Sequence, residues 1–368
     1  MKFRVARAEF LDAVLKMQKT VGSKSSMPVL EGILLSAEQG LLTLSSYNLE
    51  MGMKKEIYAS CEQEGDIVIN ARLLAEILRK LRGIDVEIEC DDRLVCHIKS
   101  GEAVFDIMGM QASDFPEMPS LTDGENLILK GEDFVEMVKG TIFAVSQIEG
   151  TRPILTGINI SVKEGVLQFV AIDGYRLAIR RKNINIENNT EFIVSGKALN
   201  EVVKLIDENT ENIEIKVGKR LILFKIDGYV FISRLLEGEF VNYEKIIPTE
   251  YKQCIEIENG EITDSIERVS LLINDTFSTP IRCAFYHDEL NISCATSLGR
   301  AKEKLNIELE GEDFEIGLNS RYLLDALKAC ESDKIVIKFN GSNAGVTITP
   351  AENEDNKMLY LIMPMRLK

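Results

Sequence analysis

The sequence predicts an α+β protein made of three repeated modules, each with antiparallel strands and two helices. Three observations predict this fold class. One helix-like segment occurs three times at an almost constant interval. Strand-like segments outnumber helical ones, and they do not alternate with helices in the strand–helix–strand order of parallel sheets. A domain-length repeat also fits the chain, because 368 residues suit two or three domains of ordinary size.

The repeated segment reads NARLLAEILR at 70–79, SGKALNEVVK at 195–204 and NSRYLLDALK at 319–328. Its first bases, Arg72, Lys197 and Arg321, lie 125 and 124 residues apart. An acid follows four residues after each base, and a second base follows seven residues after it. These residues are Glu76, Glu201, Asp325, Arg79, Lys204 and Lys328. Self-similarity at this period indicates repeated domains, so we place the modules at 1–125, 126–248 and 249–368.

Each module begins with a short strand and a first helix, whose apolar residues share one helix face at a spacing of four. The pairs are Phe10 with Val14, Phe134 with Val138, and Ile262 with Ile266. A proline-led strand pair follows, and the turn sequences Glu-Gln-Gly, Lys-Glu-Gly and His-Asp-Glu indicate hairpins. The repeated basic helix and a final set of strands complete each module. The predicted helices span 8–19, 71–82, 132–146, 197–207, 261–272 and 320–330.

The composition is that of a soluble globular protein, with 45% hydrophobic residues and a formal charge of −16. Such acidity argues against loose binding to nucleic acid or membranes, although it allows a local basic surface. Seven cysteines without a CxxC motif and only two histidines argue against a zinc site, and free thiols indicate a reducing cytoplasm. The charged start and the lack of a long apolar run predict neither export nor a membrane span. We expect no metal and no cofactor.

The bases of the repeated helix lie apart from its apolar stripe. In the first module that stripe is Leu74, Ile77, Leu78 and Leu81. One interpretation is a solvated helix whose Arg72–Glu76 pair contributes about 0.3 kcal/mol. The other is a surface that contacts DNA phosphates without reading bases.

Charge distribution and composition favour the DNA-contacting interpretation. The six predicted helices together carry no net formal charge, so the strands and loops hold the whole −16. No base-reading motif is present, and 7% aromatic residues without Trp offer little stacking for single strands, which favours duplex DNA held by shape and charge. The candidate DNA contacts are Lys24, Arg72, Arg79, Lys80, Arg82, Lys197, Lys204, Arg321 and Lys328.

The segments AIDGYRLA at 171–178 and IMPMRL at 362–367 resemble two signatures of the bacterial DNA polymerase III beta subunits, the DNA sliding clamps. The resemblance covers the whole chain, since MKFRV, MPVLEGILL, Asp114-Phe115-Pro116 and the segments 237–248 and 315–327 also match. It implies three clamp modules per chain and two chains joined head to tail in a closed ring lined by helices. It further implies a processivity subunit without an active site, which holds double-stranded DNA and binds the polymerase III alpha subunit, the clamp loader, other polymerases and repair proteins.

The resemblance also implies a pocket for short clamp-binding motifs. The matching positions are Leu155, Ile172, Gly174, Tyr175, Arg176, Leu177, Val241, Ile246, Leu361, Met363, Pro364, Met365 and Arg366. Ile172, Tyr175 and Val241 stand where the family usually has Thr, His and Pro, so we expect a more apolar pocket with its own peptide preference. The alternative is that Met363, Met365 and Leu177 are ordinary core. We expect Asp173 to brace the turn beside Arg176 and not to perform acid–base chemistry.

By position, the ring-closing contact should join Phe105 and Ile107 of module one to Leu271 and Leu272 of module three. Nearby edges carry opposite charges: Glu102 and Asp106 on one, and Arg300, Lys302 and Lys304 on the other. We hypothesise that this pairing selects head-to-tail closure. The alternative is that these are ordinary charged edge strands that discourage aggregation.

Two other classes of function remain open at the level of the residues. A metal-assisted hydrolase could use Asp173 or the pair Asp91 and Asp92 as ligands. Against it, the chain has no P-loop, GxGxxG, HExxH or GxSxG motif. A repeat scaffold that binds only proteins would share the pocket but would have no topological hold on DNA.

Overall fold

The computed structural model describes residues 1–22, 26–147, 152–185, 189–274, 279–353 and 357–367. Within these residues the chain forms 24 strands and six α-helices, and one order of elements occurs three times: strand, helix, four strands, helix, three strands. The strand pairings are antiparallel, which confirms the predicted α+β class. Four strands between the helices replace the predicted pair.

The bounds of the elements follow the repeat. The helices are α1 (Arg7–Met17), α2 (Ala71–Lys80), α3 (Gly131–Lys139), α4 (Gly196–Val203), α5 (Asn259–Ser270) and α6 (Ser320–Ala329). The strands of the first repeat are β1 (Lys2–Ala6), β2 (Gly32–Glu38), β3 (Leu41–Tyr47), β4 (Met51–Gln63), β5 (Gly65–Asn70), β6 (Asp85–Cys90), β7 (Val95–Ser100) and β8 (Ala103–Met108). Those of the second are β9 (Glu125–Lys130), β10 (Gly157–Lys163), β11 (Val166–Ile172), β12 (Arg176–Asn183), β13 (Thr190–Ser195), β14 (Asn212–Val217), β15 (Leu221–Ile226) and β16 (Tyr229–Arg234). Those of the third are β17 (Gln253–Glu258), β18 (Ile281–Phe285), β19 (Glu289–Thr296), β20 (Gly299–Asn306), β21 (Phe314–Leu318), β22 (Lys334–Phe339), β23 (Val346–Pro350) and β24 (Met358–Ile362).

The predicted helices extend beyond the observed ends, most of all in α3. Helix α3 ends at Lys139 and not at residue 146, and it is followed by Gly140, a residue that disfavours continuation of a helix. A Cβ atom at Gly140 would lie 2.3 Å from Arg180 Nε. Helices α2 and α4 end at Lys80 and Val203, so Arg82 and Lys204 lie just beyond them. The helix ends are therefore less basic than the sequence predicts.

The chain divides into two compact units. The first comprises Met1–Val135 and Lys197–Leu235. Its 12-stranded sheet runs in the order β8-β7-β6-β1-β4-β16-β15-β14-β9, with β3, β2 and β5 joined to it through β4. Helices α1 and α2 pack against each other here. The pairing of β4 with β16, for example Met53 opposite Phe231, joins strands of the first and second repeats in one sheet.

The second unit comprises Glu136–Gly196 and Leu236–Lys368. Its larger sheet has the order β13-β10-β11-β12-β24-β23-β22-β17, and its smaller sheet the order β20-β19-β18-β21. Strand β12 pairs with β24, with Leu177 opposite Leu361, so this sheet joins the second and third repeats. Helices α5 and α6 pack against each other.

The sequence explains why the repeated helices begin where they do. The Asn70 side-chain oxygen accepts a hydrogen bond from the Leu73 amide at 3.0 Å. Asn319 caps α6 in the same way, accepting from the amides of Arg321 and Tyr322. Such caps satisfy amides that have no partner inside the helix. The predicted apolar stripes are buried as expected, namely Phe10, Val14, Leu74, Ile77, Leu78, Leu81, Phe134, Val138, Ile262 and Ile266.

Candidate functional site

The turn between β11 and β12 is held by the Asp173 carboxylate. One oxygen accepts hydrogen bonds from the amides of Tyr175 and Arg176 at 2.9 and 3.0 Å, and the other accepts from Arg176 Nε at 3.0 Å. Gly174 between them has a φ of +93°, in the left-handed region that favours glycine. Asp173 therefore braces the turn, as the sequence predicted.

The Arg176 guanidinium is largely buried and is held by contacts within the protein. Its side chain is 7% exposed, and Nη1 reaches Asp325 Oδ2 of α6 at 2.5 Å. Its face covers the Tyr322 ring at 4.3 Å and the Phe143 ring at 5.4 Å. These contacts make Arg176 a brace that ties the turn to a helix. The ligand-orienting role that the resemblance implies for it stays a prediction.

Below the turn, strands β11, β12 and β24 bring together an apolar cluster, which we call the pocket floor. Its members are Val170, Ile172, Leu177, Ile179 and Leu361, with Leu155, Phe240, Tyr243, Ile247 and Leu359 packed against it. Four of these, Leu155, Ile172, Leu177 and Leu361, are among the predicted pocket residues. Sequence reasoning missed Phe240, Tyr243 and Ile247, although it singled out the segment 237–248 that carries them.

Three apolar side chains of the predicted pocket are exposed, and we call them the pocket rim. Tyr175 is 60% exposed, Ile246 is 44% exposed and Met363 is 39% exposed. Each adjoins a segment that contributes to the floor. Val241 is half-buried. Of the predicted pocket residues, four thus lie in a packed floor and three in a rim that solvent can reach.

The segment after β24 is fixed by backbone hydrogen bonds at two points. The Met363 amide donates to the Tyr175 carbonyl at 2.8 Å, and the Met365 amide donates to the Gly317 carbonyl at 2.8 Å. A Cβ atom at Gly317 would lie 2.5 Å from the Met365 oxygen, so only glycine permits this approach. Pro364 and Met365 are half-buried and Arg366 is exposed. The core interpretation therefore holds for Leu177 but not for Met363.

Polar groups of Gln168, Arg181 and Tyr243 lie beside the pocket floor. Gln168 donates a hydrogen bond to the Tyr243 hydroxyl at 2.7 Å and accepts one from Arg181 Nε at 2.6 Å. Burial raises the pKa of Tyr243 above its ordinary value, and burial followed by the nearby Asp173 carboxylate does the same for the pKa of Tyr322. Both hydroxyls therefore stay protonated near neutral pH and remain able to donate hydrogen bonds.

The candidate DNA contacts fall into two classes. Some bases already have a carboxylate partner: Arg72 pairs with Glu76 at 3.0 Å, Lys204 with Glu201 at 2.7 Å and Lys328 with Glu267 at 2.5 Å. Others are exposed and form no ion pair among the described residues, namely Arg79, Lys80, Arg82 and Arg321. Lys197 is exposed at the start of α4, and Lys24 lies outside the described residues. An anion can therefore contact Arg79, Lys80, Arg82 and Arg321 without first displacing a carboxylate of this chain.

Strand β8 forms one edge of the first unit's sheet and exposes apolar side chains on both faces. Val104 is 59% exposed and Met108 66% exposed, and Phe105 is exposed as well. The predicted Ile107 is half-buried, whereas Glu102 is exposed. A strand with free backbone groups and exposed apolar side chains is a template for pairing with another chain.

In the second unit, β20 forms the edge of the four-stranded sheet and exposes Arg300, Lys302 and Lys304. Leu271 is 80% exposed after α5, and Leu272 is half-buried. Two of the charges assigned to ring closure already have partners within their own unit. Lys304 pairs with Glu289, and Asp106 lies 2.5 Å from His97 Nδ1.

Two of the acidic residues considered for metal binding, Asp173 and Asp91, have structural roles. Asp91 Oδ1 accepts hydrogen bonds from the amides of Arg93 and Val95 at 2.9 Å each, which closes the hairpin between β6 and β7. Within the described residues, no three His, Cys, Asp or Glu side chains lie close enough to hold a metal ion. None of the helices described is long and apolar enough to cross a membrane.

Family models match the chain in three consecutive parts. Residues 1–119 match the N-terminal domain of the DNA polymerase III beta subunit, residues 128–242 its central domain and residues 244–366 its C-terminal domain. The beta sliding clamp of Halalkalibacterium halodurans is 31% identical over 385 residues, with 100% of both chains covered. That of Staphylococcus aureus is 30% identical over 377 residues, with 100% of this chain and 99% of the relative covered.

Solved structures agree with the sequence matches. The DNA polymerase sliding clamp of Bacillus subtilis has a TM-score of 0.94 at 29% identity. The sliding clamp of Pseudomonas aeruginosa bound to griselimycin has a TM-score of 0.91 at 26% identity. Each comparison covers 100% of both chains. This chain therefore belongs to the family of DNA polymerase III beta subunits, the beta sliding clamps.

Proposed function

We propose that this chain is a DNA sliding clamp that encircles duplex DNA and confers processivity on the replicative polymerase. The observation that carries the proposal is the match in sequence and fold to solved sliding clamps along the whole chain. This role requires a closed ring and surfaces that bind partners, and it does not require that any covalent bond be formed or broken. We therefore propose a non-catalytic subunit that works in the cytoplasm without a cofactor. Its three modules would meet near residues 125 and 248.

In this proposal two copies of the chain close head to tail, with β8 of one copy against β20 of the other. The exposed Val104, Phe105 and Met108 supply apolar area on the first edge. Arg300 and Lys302 supply positive charge on the second, and Glu102 faces solvent on the first. Opposite charge would select this pairing over a like-with-like contact of two β8 edges.

The pocket floor and rim would bind short apolar motifs from the polymerase III alpha subunit, the clamp loader, other polymerases and repair proteins. A packed floor needs no rearrangement on binding, and the exposed Tyr175, Ile246 and Met363 can close over an apolar side chain. Methionine adapts to ligands of different shape, which suits a site shared by several partners. We expect micromolar affinity for a single motif, about −8 kcal/mol.

Duplex DNA would be held without sequence readout. Arg79 and Lys80 lie at the end of α2 and Arg82 lies just beyond it, and all three are exposed. Such bases can contact phosphates from many positions along the duplex. Release of counterions makes this contact sensitive to salt, whereas a ring is retained on circular DNA for as long as it stays closed.

Retention on DNA tests the proposed function. The chain is loaded onto nicked circular plasmid with a cognate clamp loader and ATP, washed at high salt, and the plasmid is then cut. Retention on circles and release on linearisation would support a closed ring. Salt-sensitive loss from both forms would overturn the proposal, and absence of binding with an active loader would favour a scaffold that binds only proteins.

Two variants with matched controls test the surfaces separately. Phe105→Asp should convert the dimer to a monomer in light scattering, whereas Tyr58→Asp, at a more exposed aromatic residue of the same sheet, should not. Met363→Ala should weaken binding of a clamp-binding peptide or of griselimycin, whereas Ile128→Ala, at an exposed apolar residue of β9, should leave it unchanged. Equal effects of a variant and its control would exclude the assigned surface.

A further inference from the structure

Two of the seven cysteines face each other across the hairpin of β6 and β7. Cys90 is the last residue of β6, and it lies directly opposite Cys96 of β7 in the strand register. Cys96 in turn lies opposite Ile107 of the edge strand β8. The pair therefore sits one strand behind the edge of the first unit's sheet.

The backbone places the two cysteines at the kind of site that a cross-strand disulfide requires. The Cys90 amide and carbonyl both bond to Met1 of the neighbouring chain segment, at 2.9 and 3.2 Å, and so point away from β7. Cys90 and Cys96 are thus a non-hydrogen-bonded pair, for which the Cα atoms are about 4.5 Å apart. That separation lies within the range of about 4.4–6.8 Å found for disulfides.

The side chains are also aligned. The two Sγ atoms are 2.7 Å apart, and a bond of about 2.05 Å needs only a small further approach. Cys96 is fully buried and Cys90 is 9% exposed. Cys283 and Cys294 are buried to a similar degree on β18 and β19, but they are opposite Ile292 and Ala301 and not opposite each other.

We propose that Cys90 and Cys96 form a peroxide-sensitive thiol pair that closes into a reversible disulfide. The Cys96 thiolate attacks one oxygen of hydrogen peroxide, the O–O bond breaks, and hydroxide leaves, which gives a sulfenic acid. The Cys90 sulfur then attacks that sulfur, the S–O bond breaks, and water leaves with the Cys90 proton. Two thiols and one peroxide thus give one disulfide and two waters.

The ionisation of the two thiols agrees with these roles. The hydrogen bond from the Cys90 thiol lowers the pKa of Cys96, which makes Cys96 the better source of thiolate. Donating that bond and burial together raise the pKa of Cys90, which keeps this thiol protonated until the second step. The resting state in a reducing compartment is the dithiol, and the disulfide forms only when peroxide is present.

Peptide mapping of the full-length protein tests the proposal. The reduced protein is treated with hydrogen peroxide, unfolded in the presence of N-ethylmaleimide so that buried thiols are also blocked, and digested with trypsin. Trypsin cuts after Arg82, Arg93 and Lys99, so it separates the peptide of Cys90 (83–93) from the peptide of Cys96 (94–99). We expect these two peptides to be recovered joined, with a mass lower by two hydrogens, and to separate on treatment with dithiothreitol.

Cys283 and Cys294 are the internal controls and should be recovered alkylated by N-ethylmaleimide and not joined to another peptide. The proposal is overturned if peroxide leaves Cys90 and Cys96 as free as these controls, or if Cys96 is oxidised without being joined to Cys90. The Cys90→Ser variant should lose the joined peptides and accumulate sulfinic acid at Cys96. Since the mapping of the unaltered protein decides the question by itself, the test does not depend on the folding of the variant.

Discussion

Asp325→Asn would remove one of the two carboxylates that hold Arg176, without changing the size of the side chain. Arg176 is 7% exposed and its Nη1 lies 2.5 Å from Asp325, whose side chain is 32% exposed. A hydrogen bond between charged groups contributes about 1.5–3 kcal/mol, and partial exposure reduces it. We expect a decrease in stability of about 1–2 kcal/mol, because Asp173 still holds Nε after the substitution.

Hydrogen–deuterium exchange at the turn measures this decrease locally. A change of about 1–2 kcal/mol corresponds to about 5- to 30-fold faster exchange of the Tyr175 and Arg176 amides, if these open with the turn. Binding of a clamp-binding peptide should weaken in the same direction, because the rim residue Tyr175 lies on this turn. Isothermal titration of peptide into both proteins provides the second readout.

The repeat offers a matched control for this prediction. Glu76 occupies the position of Asp325 in the first repeat, but it pairs with Arg72 on the surface, where the two side chains are 55% and 84% exposed. Glu76→Gln should therefore cost no more than about 0.5 kcal/mol, a change of about twofold in exchange of α2 amides. Unchanged exchange at the turn in Asp325→Asn, or an equal change in both variants, would refute the assignment of Arg176 as a buried brace.

Three further predictions concern separate parts of the molecule. Gly174→Ala should destabilise the turn by about 1–2 kcal/mol, since φ is +93°, and thermal unfolding with peptide titration would detect this. Replacing Arg79 and Lys80 by Gln should lower the affinity for short duplex DNA. The slope of log affinity against log salt concentration should become shallower by about 0.9 for each phosphate that the protein no longer neutralises. An unchanged slope would place these bases away from DNA. The Asp106 hydrogen bond raises the pKa of His97. The stabilisation from the His97–Asp106 hydrogen bond should be present below the pKa of His97 in the unfolded chain and disappear as pH rises through its pKa in the folded protein. NMR titration should show a lower pKa for His97 in Asp106→Asn.

Local patterns in the sequence predicted the features that depend on local physics. The spacing of Phe10 and Val14 identified a buried helix face. The predicted helix starts at residues 71 and 320 agree with those of α2 and α6, which Asn70 and Asn319 cap. The predicted strand pair in each repeat was incomplete. In the third repeat the missed strand β20 reads GRAKEKLN, and Leu305 is its only large apolar residue. Periodicity is informative only where one face of an element is buried.

The candidate site contained contacts that no local pattern could predict. The family match brought Ile172, Leu177 and Leu361 into one set, and the structure packs them in one cluster. The ion pair of Arg176 with Asp325 spans 149 residues of sequence, so spacing cannot reveal it. The repeat even suggested a different partner for Asp325, because the equivalent Glu76 pairs within its own helix.

The pairings of β4 with β16 and of β12 with β24 carry hydrogen bonds across the joints between repeats. A single repeat excised from the chain would therefore leave a strand such as β4, with Met51 and Met53, without its neighbour and prone to aggregation. Chimaeras that exchange one repeat between related clamps face the same constraint. They should fold only when the register at the joint, such as Met53 opposite Phe231, is preserved along with the repeat itself.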